Sequence, residues 1–411
     1  MSAQLSLLVL ISASLGQTEL DSADWPQWRG PNRDSQVTSG DWPDSLSEDH
    51  LKTLWQVDLE PSYSGPIVVG SRVFVTETRD RSHEVVKAFD RHTGQQLWNV
   101  EWPGAMSVPF FAKANGDWIR STPACDGSRL YVAGMKDVLV CLEVETGTEV
   151  WRKDIAEEFD TGLESFGFVC SPLIDGDGVI VQSSAGTIKV NKLTGELVWR
   201  MPDAELGMMG GSFSSPIIAT LAERRQLIVQ TRQEMMGLDP DAGEQLWSKS
   251  IPAFRGMNIL TPLMIGDQVF TCTYGGGAHM LSMDRTDQGF EIRQVWETKM
   301  EGYMSSPVLV DNSIYVHLKN QRLACVDPLS GKERWRSKPF GKYWSMAVNG
   351  DHILALDERG ELLLIDADPN QLIVLDRRMV SEEPAWAHLA VSGNHVFVRS
   401  INHLTVFEMK Q

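Results

Sequence analysis

The chain has 411 residues, 42% of them apolar, with Lys+Arg 37 against Asp+Glu 55 and a formal net charge of -18. This is an ordinary globular composition. A surface this negative repels phosphate backbones, no Lys/Arg run offers a local exception, and nucleic-acid binding is excluded as the expected role. The five cysteines (Cys125, Cys141, Cys170, Cys272, Cys325) are scattered and form no C-x-x-C. Structural zinc, thioredoxin-like chemistry and c-type haem attachment therefore have no support, and buried core thiols are expected.

In chain order, "MSAQLSLLVLISASLGQTEL" comes first. Leu5 to Leu15 is an apolar stretch with small residues at Ser12, Ala13, Ser14 and Gly16. It reads as a secretory signal over residues 1–16, cut after about Gly16, although no Lys or Arg lies near Met1. It is too short to cross a bilayer as a helix, and no later stretch is long and apolar enough. No Cys precedes Cys125, so no acceptor for an N-terminal lipid anchor is expected. Residues 17–50 read as an N-terminal arm and carry "DWPQWRGPNRD", Asp24 to Asp34.

From residue 51 onward a repeat dominates. "FDRHTGQQLW" ends at Trp98, "LEVETGTEVW" at Trp151, "VNKLTGELVW" at Trp199 and "LDPDAGEQLW" at Trp247. A stretched copy, "MDRTDQGFEIRQVW", ends at Trp296; "VDPLSGKERW" ends at Trp335; a decayed copy, "IDADPNQLIVL", ends at Leu375. Successive ends lie 53, 48, 48, 49, 39 and 40 residues apart, the period of propeller blades. Upstream of each motif stands a small residue and Pro (Gly65-Pro66, Thr122-Pro123, Ser171-Pro172, Ser215-Pro216, Thr261-Pro262, Ser306-Pro307), then alternating strands. Each unit is thus a four-stranded antiparallel meander. The motif is its last hairpin: the acidic or Asn residue accepts backbone N–H groups, Gly takes a positive φ and closes a bulged turn, and Trp wedges between blades.

The fold class expected is all-β, an eight-bladed β-propeller of four-stranded antiparallel blades over residues 51–411, with a seven-bladed ring as the alternative. The last blade, residues 388–410, supplies three strands. "LKTLWQVDL", Leu51 to Leu59, carries Trp55 and closes that blade from the N-terminal side, removing open edges.

The repeated Asp/Asn-x-x-Thr-Gly-x-x-x-Trp resembles the tryptophan-docking motif of pyrroloquinoline-quinone (PQQ) repeat propellers, over about Trp55 to Lys410. "DWPQWRGPNRD" is similar to the N-terminal signature of exported bacterial PQQ-like propeller proteins, and an arm packed on the propeller is expected. The resemblance implies two branches: quinoprotein dehydrogenases holding PQQ and calcium in the central funnel, and binding scaffolds such as the propeller subunit of the outer-membrane barrel assembly machinery. Fold alone does not choose between them.

The chain has no Cys-Cys pair of the kind that alcohol-oxidising members carry over PQQ. Calcium needs several converging oxygens; Glu164, Asn258 and Glu301 are candidates, on three separate loops. "IDGDGVI" and "YGGGAHM" read as hairpin turns, and no G-x-S-x-G or H-E-x-x-H occurs. No catalytic residue is assigned. The loops entering the innermost strands carry the candidate ligand-binding residues of the funnel mouth: Tyr63, Arg120, Phe168, Phe213, Arg255, Tyr303, Trp344, Trp386 and His388, with Tyr343, Met257 and Met304 beside them. The long loop Asn99 to Ser121 reads as a lid or partner contact. The expectation is an exported, periplasmic or extracellular, monomeric propeller that binds a protein or small ligand without catalysis and holds no cofactor; the alternatives are a PQQ- and calcium-dependent oxidoreductase with a divergent site, or a vestigial enzyme that senses a ligand.

Overall fold

A computed structural model of the chain describes residues 20–38, 40–110, 112–113, 116–203, 212–287 and 289–411. The secretory signal expected over residues 1–16 lies outside them. Among the described residues there are eight four-stranded antiparallel sheets, each a meander in chain order except the last. Blade 1 runs Ile67–Val69, Arg72–Arg79, His83–Asp90 and Gln96–Pro103, from the innermost strand outward. The innermost strands of blades 2 to 8 are Ala124–Cys125, Leu173–Asp175, Ile217–Leu221, Leu263–Ile265, Val308–Val310, Trp344–Asn349 and Ala390–Ser392. Blade 8 takes its outer strand, Leu51–Asp58, from the other end of the chain. That strand pairs with His403–Met409 from Leu51↔Met409 to Asp58↔His403. The expected closure is therefore the observed one. The chain is an eight-bladed propeller whose ring has no open edge between blades.

The turn motif works as a socket. Asp90 Oδ1 accepts the N–H groups of His92 (3.0 Å) and Thr93 (2.8 Å), and Gly94 N–H returns to Asp90 O at 2.9 Å with φ at 73°. Asn191, Asp239 and Asp327 repeat the pattern. The Trp of one blade then seats on the Gly of the next. A Cβ on Gly94 would lie 2.7 Å from the Trp55 ring, and one on Gly147 2.6 Å from Trp98. Gly195, Gly243 and Gly331 receive Trp151, Trp199 and Trp296 in the same way. Each indole N–H donates to a carbonyl of the receiving turn: Trp55 to Arg91 (2.9 Å), Trp98 to Val144 (3.0 Å), Trp151 to Lys192 (3.0 Å), Trp199 to Pro240 (3.1 Å), Trp296 to Pro328 (2.7 Å) and Trp335 to Asp368 (2.9 Å).

Two junctions differ, each for a visible reason. Blade 5 has the stretched copy, whose strands Gly277–Thr286 and Gly289–Thr298 leave no Gly socket, so Trp247 donates to Gln226 Oε1 of its own blade at 2.7 Å. Blade 7 has Leu375 where a Trp is expected. There the arm fills in: Trp42 and Leu46 are buried in the core of blades 7, 8 and 1, and Asp376 accepts from Ser45 Oγ (2.8 Å) and Leu46 N–H (2.7 Å).

The small polar residue before Pro also has a mechanism. Around the channel, Gly65 N–H donates to Thr122 Oγ1 (3.1 Å), Thr122 N–H to Ser171 Oγ (3.0 Å), Ser171 N–H to Ser215 Oγ (3.0 Å) and Thr261 N–H to Ser306 Oγ (3.0 Å). These bonds satisfy innermost-strand groups that have no neighbouring strand.

The arm lies on the propeller axis. Trp25 exchanges backbone hydrogen bonds with Val68 of blade 1, and Pro26 O accepts from Cys125 N–H of blade 2. Arg33 donates to Ser171 O (3.0 Å) and Pro172 O (2.7 Å) of blade 3, and Trp28 Nε1 to Thr261 Oγ1 of blade 5 at 3.0 Å. Arg29 donates to Pro307 O of blade 6, Val37 N–H to Val348 O of blade 7, and Ser392 Oγ of blade 8 to Ala23 O. A segment of fifteen residues, Ala23 to Val37, that reaches the innermost strands of seven blades can only run along the central channel. It closes the end of the channel on which the motif turns lie.

All five cysteines are free and buried, as expected of core thiols.

Candidate functional site

The opposite end of the channel is the candidate site. It is built from the connections that lead from one blade's outer strand to the next blade's innermost strand, and from the hairpins between second and third strands. Aromatic rings on these loops touch in an unbroken arc. Trp118 packs on Tyr63 (5.2 Å between centroids), Tyr63 stacks on Trp386 (5.3 Å, 8° between planes) and Trp386 meets Tyr343 (5.4 Å). Tyr343 stacks on Tyr303 (6.2 Å), Tyr303 meets Tyr274 (5.4 Å) and Tyr274 meets Phe254 (5.8 Å). Across the mouth, Phe166 and Phe213 make an edge contact at 5.5 Å.

Cations lie over these rings. Arg120 stands 4.9 Å from the centre of Tyr63, Lys342 5.1 Å from Tyr343 and Lys319 4.0 Å from Tyr274. Arg255 covers Phe254 at 5.2 Å and Arg232 covers Phe213 at 4.8 Å. Burial lowers the Arg120 guanidinium from its ordinary range, against the pull of Tyr63, and raises the Tyr63 phenol, which stays neutral. Phe254 is 51% exposed and Met304 39%, so the arc presents apolar surface to solvent at this end.

Of the residues expected at the mouth, Tyr63, Arg120, Phe213, Arg255, Tyr303 and Trp386 line it. Phe168 and Trp344 do not. Phe168 is 2% exposed and packs with Tyr131 and Val179 in the core between blades 2 and 3. Trp344 stacks on His317 at 5.2 Å and 4°, inside the core of blades 6 and 7. Trp344 opens the innermost strand of blade 7, where side chains alternate between channel and blade, whereas Phe168 lies in the loop ahead of Leu173–Asp175; both are buried in a core between blades. His388 lies deeper, in the channel, 5.0 Å from the Trp28 ring, and burial pulls its imidazole down to about 3. It is neutral there and forms part of the floor.

The long loop is shorter than expected, because Asn99 to Pro103 continue blade 1's outer strand. Trp102 turns inward and donates to Glu84 Oε2 at 2.9 Å, while Trp118 joins the arc. Trp118, Tyr274, Phe254, Lys319 and Lys342 were not singled out from the sequence. The one available signal was their place in the same class of loop.

The three oxygen ligands considered for calcium do not form one set. Glu301 accepts from Lys319 Nζ (2.7 Å) and Gly275 N–H (3.2 Å). Asn258 donates its amide to Thr231 O (3.1 Å), leaving Oδ1 buried without a partner. Glu164 has a buried Oε1 without a partner, and burial raises its carboxyl well above the ordinary range. No group of three or more His, Cys, Asp or Glu side chains among the described residues is placed to hold a metal ion. No helix of the described residues is long and apolar enough to cross a membrane.

Comparison with known proteins adds the following. A family model described as outer membrane protein assembly factor BamB matches residues 82–337 and 319–411. The outer membrane protein assembly factor BamB of Moranella endobia is 23% identical over 356 residues, 82% of each chain. The crystal structure of BamB from Moraxella catarrhalis superposes with a TM-score of 0.62 at 15% identity, covering 88% of this chain and 98% of that one. The quinohemoprotein alcohol dehydrogenase of Comamonas testosteroni superposes with a TM-score of 0.69 at 14% identity, covering 96% and 81%. The two structural likenesses concern the fold alone.

Proposed function

From the premise that this chain belongs to the outer membrane protein assembly factor BamB family, we propose that it is an exported, non-catalytic propeller that binds a protein segment at its aromatic mouth during outer-membrane protein assembly. One observation carries the reading: the arc from Trp118 to Phe254 lies at the channel end that the arm leaves open. Aromatic rings with partly exposed apolar surface, bordered by cations on flexible stems, suit a polypeptide ligand. The apolar pattern of residues 5–15 supports export.

The test is capture. A photo-crosslinking side chain at Phe254 or Met304, both exposed, should trap specific envelope proteins in cells, and Trp386→Ala should reduce that yield about tenfold, as for an interface hot spot. An absence of any specific adduct from either position would remove the proposal.

A second reading, a quinoprotein, is favoured by the unpartnered Glu164 Oε1 and Asn258 Oδ1. Stoichiometric uptake of PQQ in the presence of calcium, with substrate-dependent dye reduction, would put it first.

A further inference from the structure

We propose that His403 is a proton-operated latch between the seam of the ring and the mouth: as an imidazolium it ties Glu383, which holds the loop of Trp386, to Asp58 at the end of the closing strand, and so fixes the aromatic arc. The inference concerns regulation of the mouth proposed above and rests on that reading, but its first readout needs no ligand. Trp386 is the hub of the arc, touching Tyr63, Tyr343 and Trp118, the last at 6.1 Å. Glu383 lies three residues before it, and its carboxylate gathers the hairpin that joins the last two strands of the chain. Oε2 accepts His403 Nδ1 (3.0 Å), Asn402 N–H (3.1 Å) and Ser400 Oγ (3.3 Å), and Oε1 accepts Asn402 Nδ2 (3.0 Å). Ile401 N–H donates to Pro384 O at 2.9 Å beside them. The Trp386 loop is thus held to this hairpin largely through one carboxylate.

The other ring nitrogen of His403 meets the closing strand. Asp58 and His403 are the last partners in the pairing of Leu51–Asp58 with His403–Met409, and Asp58 Oδ1 lies 3.4 Å from His403 Nε2. Both nitrogens therefore face a carboxylate oxygen. A neutral imidazole offers one N–H and one lone pair, and an ionised carboxylate only accepts. With one proton, one of the two contacts sets acceptor against acceptor. The second proton turns both into charge-assisted contacts. Burial pushes the Glu383 carboxyl up, but the donors from Asn402 and His403 outweigh it and hold the group below its ordinary range, so it stays ionised.

Among the described residues His403 is the one basic side chain within ion-pair distance of either acid. Arg399, the cation on the neighbouring strand, directs Nη2 to Glu60 O at 2.7 Å, and the remaining neighbours, Ser400, Asn402, Gln56 and Thr405, are neutral. The side chains of His403 and Glu383 are 30% and 32% exposed, so the proton comes directly from solvent. Each contact by itself is weak at this exposure; the leverage lies in what Glu383 holds. Imidazole is the side chain that changes charge between about pH 5 and 8. The latch is complete at the acid end of that range, and the Asp58 contact is lost first as pH rises. Ring closure and mouth shape are then linked, and each stabilises the other.

The test uses the full chain labelled with 5-fluorotryptophan, the Trp386 resonance being assigned by its loss in Trp386→Phe. Between pH 8 and pH 5.5 that resonance should move in the wild type. Glu84, Asp137 and Asp203 also change charge in or near this window, whereas His388 stays neutral, so the decisive comparison is His403→Gln, which keeps a donor to Glu383 but cannot charge. The movement should be lost in His403→Gln, and in Asp58→Asn its midpoint should shift to lower pH. A resonance that stays still, moves equally in His403→Gln, or keeps its midpoint in Asp58→Asn would overturn the latch, whatever the mouth binds. The second readout is the yield of adducts from a photo-crosslinking side chain at Phe254 in envelope extract. It should be about threefold higher at pH 5.5 than at pH 8, and equal at the two in His403→Gln. A moving resonance with equal yields in the wild type would overturn the control of binding, and a moving resonance with no adduct at either pH would leave the latch standing and remove the proposed role of the mouth.

Discussion

Glu84 concentrates the physics of a single buried group. Its carboxylate accepts Met135 N–H at 2.6 Å and Trp102 Nε1–H at 2.9 Å, joining blades 1 and 2 beneath the mouth. Burial nevertheless raises its ionisation to about 7. A folded-state value above the unfolded one means that the folded protein binds the extra proton between pH 4.5 and 7. Stability should therefore fall as pH rises through that window and level off above it. A shift of this size corresponds to up to about 3 kcal/mol. Glu84→Gln cannot titrate, so the stability difference between Gln variant and wild type should move in the variant's favour from pH 5 to pH 8. Urea midpoints at the two pH values check this, and a difference independent of pH would contradict it. At the same scale, the sequence identified the mouth loops but not the direction of each side chain. Trp386 and Trp344 are the same residue type in the same class of connection, but Trp344 opens an innermost strand and Trp386 lies in the loop before one. Trp386 joins the aromatic arc and Trp344 stacks on His317, a difference set by where each strand begins, which the residue type alone does not mark.

For the blade, the Trp–Gly socket is the unit of cohesion. Gly147 combines a φ of 71° with a ring carbon of Trp98 2.6 Å from where a Cβ would sit. Gly147→Ala must strain the turn and also push the indole away. A cost of about 1–3 kcal/mol is expected. The same change at Gly350, which has positive φ and open space around it, should cost less. Thermal or urea unfolding of the two variants measures the contrast, and equal costs would mean that the ring contact contributes nothing. The socket was legible because its residues recur at a fixed period: the turns, the bulges and the eight meanders follow from pattern alone. The arm was not legible in the same way. Its partners, from Val68 to Val348, are separated from it by up to hundreds of residues, and nothing local in "DWPQWRGPNRD" says that it lies along an axis. Nor does the sequence say that Trp42 and Leu46 stand in for the Trp missing at Leu375.

For the whole ring, closure depends on one strand paired on both sides. Val406 opposes Trp55 on the outer side and Phe397 on the inner side. Val406→Pro removes a ladder donor inside a sheet and should cost about 3 kcal/mol or more. The expected readout is a ring that opens at blade 8, with new protease sensitivity confined to Leu51–Asp58 and His403–Met409. Cleavage spread evenly over all blades would argue against a distinct seam.

That seam also sets a timetable. The strand that closes the annulus leaves the ribosome well before its partner, because Leu51–Asp58 pairs with His403–Met409. With synthesis at roughly 5–20 residues per second, the interval between them is on the order of tens of seconds. Throughout that time a sticky, alternating β-segment with Trp55 waits for a mate. The hydrogen bonds of this seam can form only after both strands have been made, so they are later than those of the blades between them.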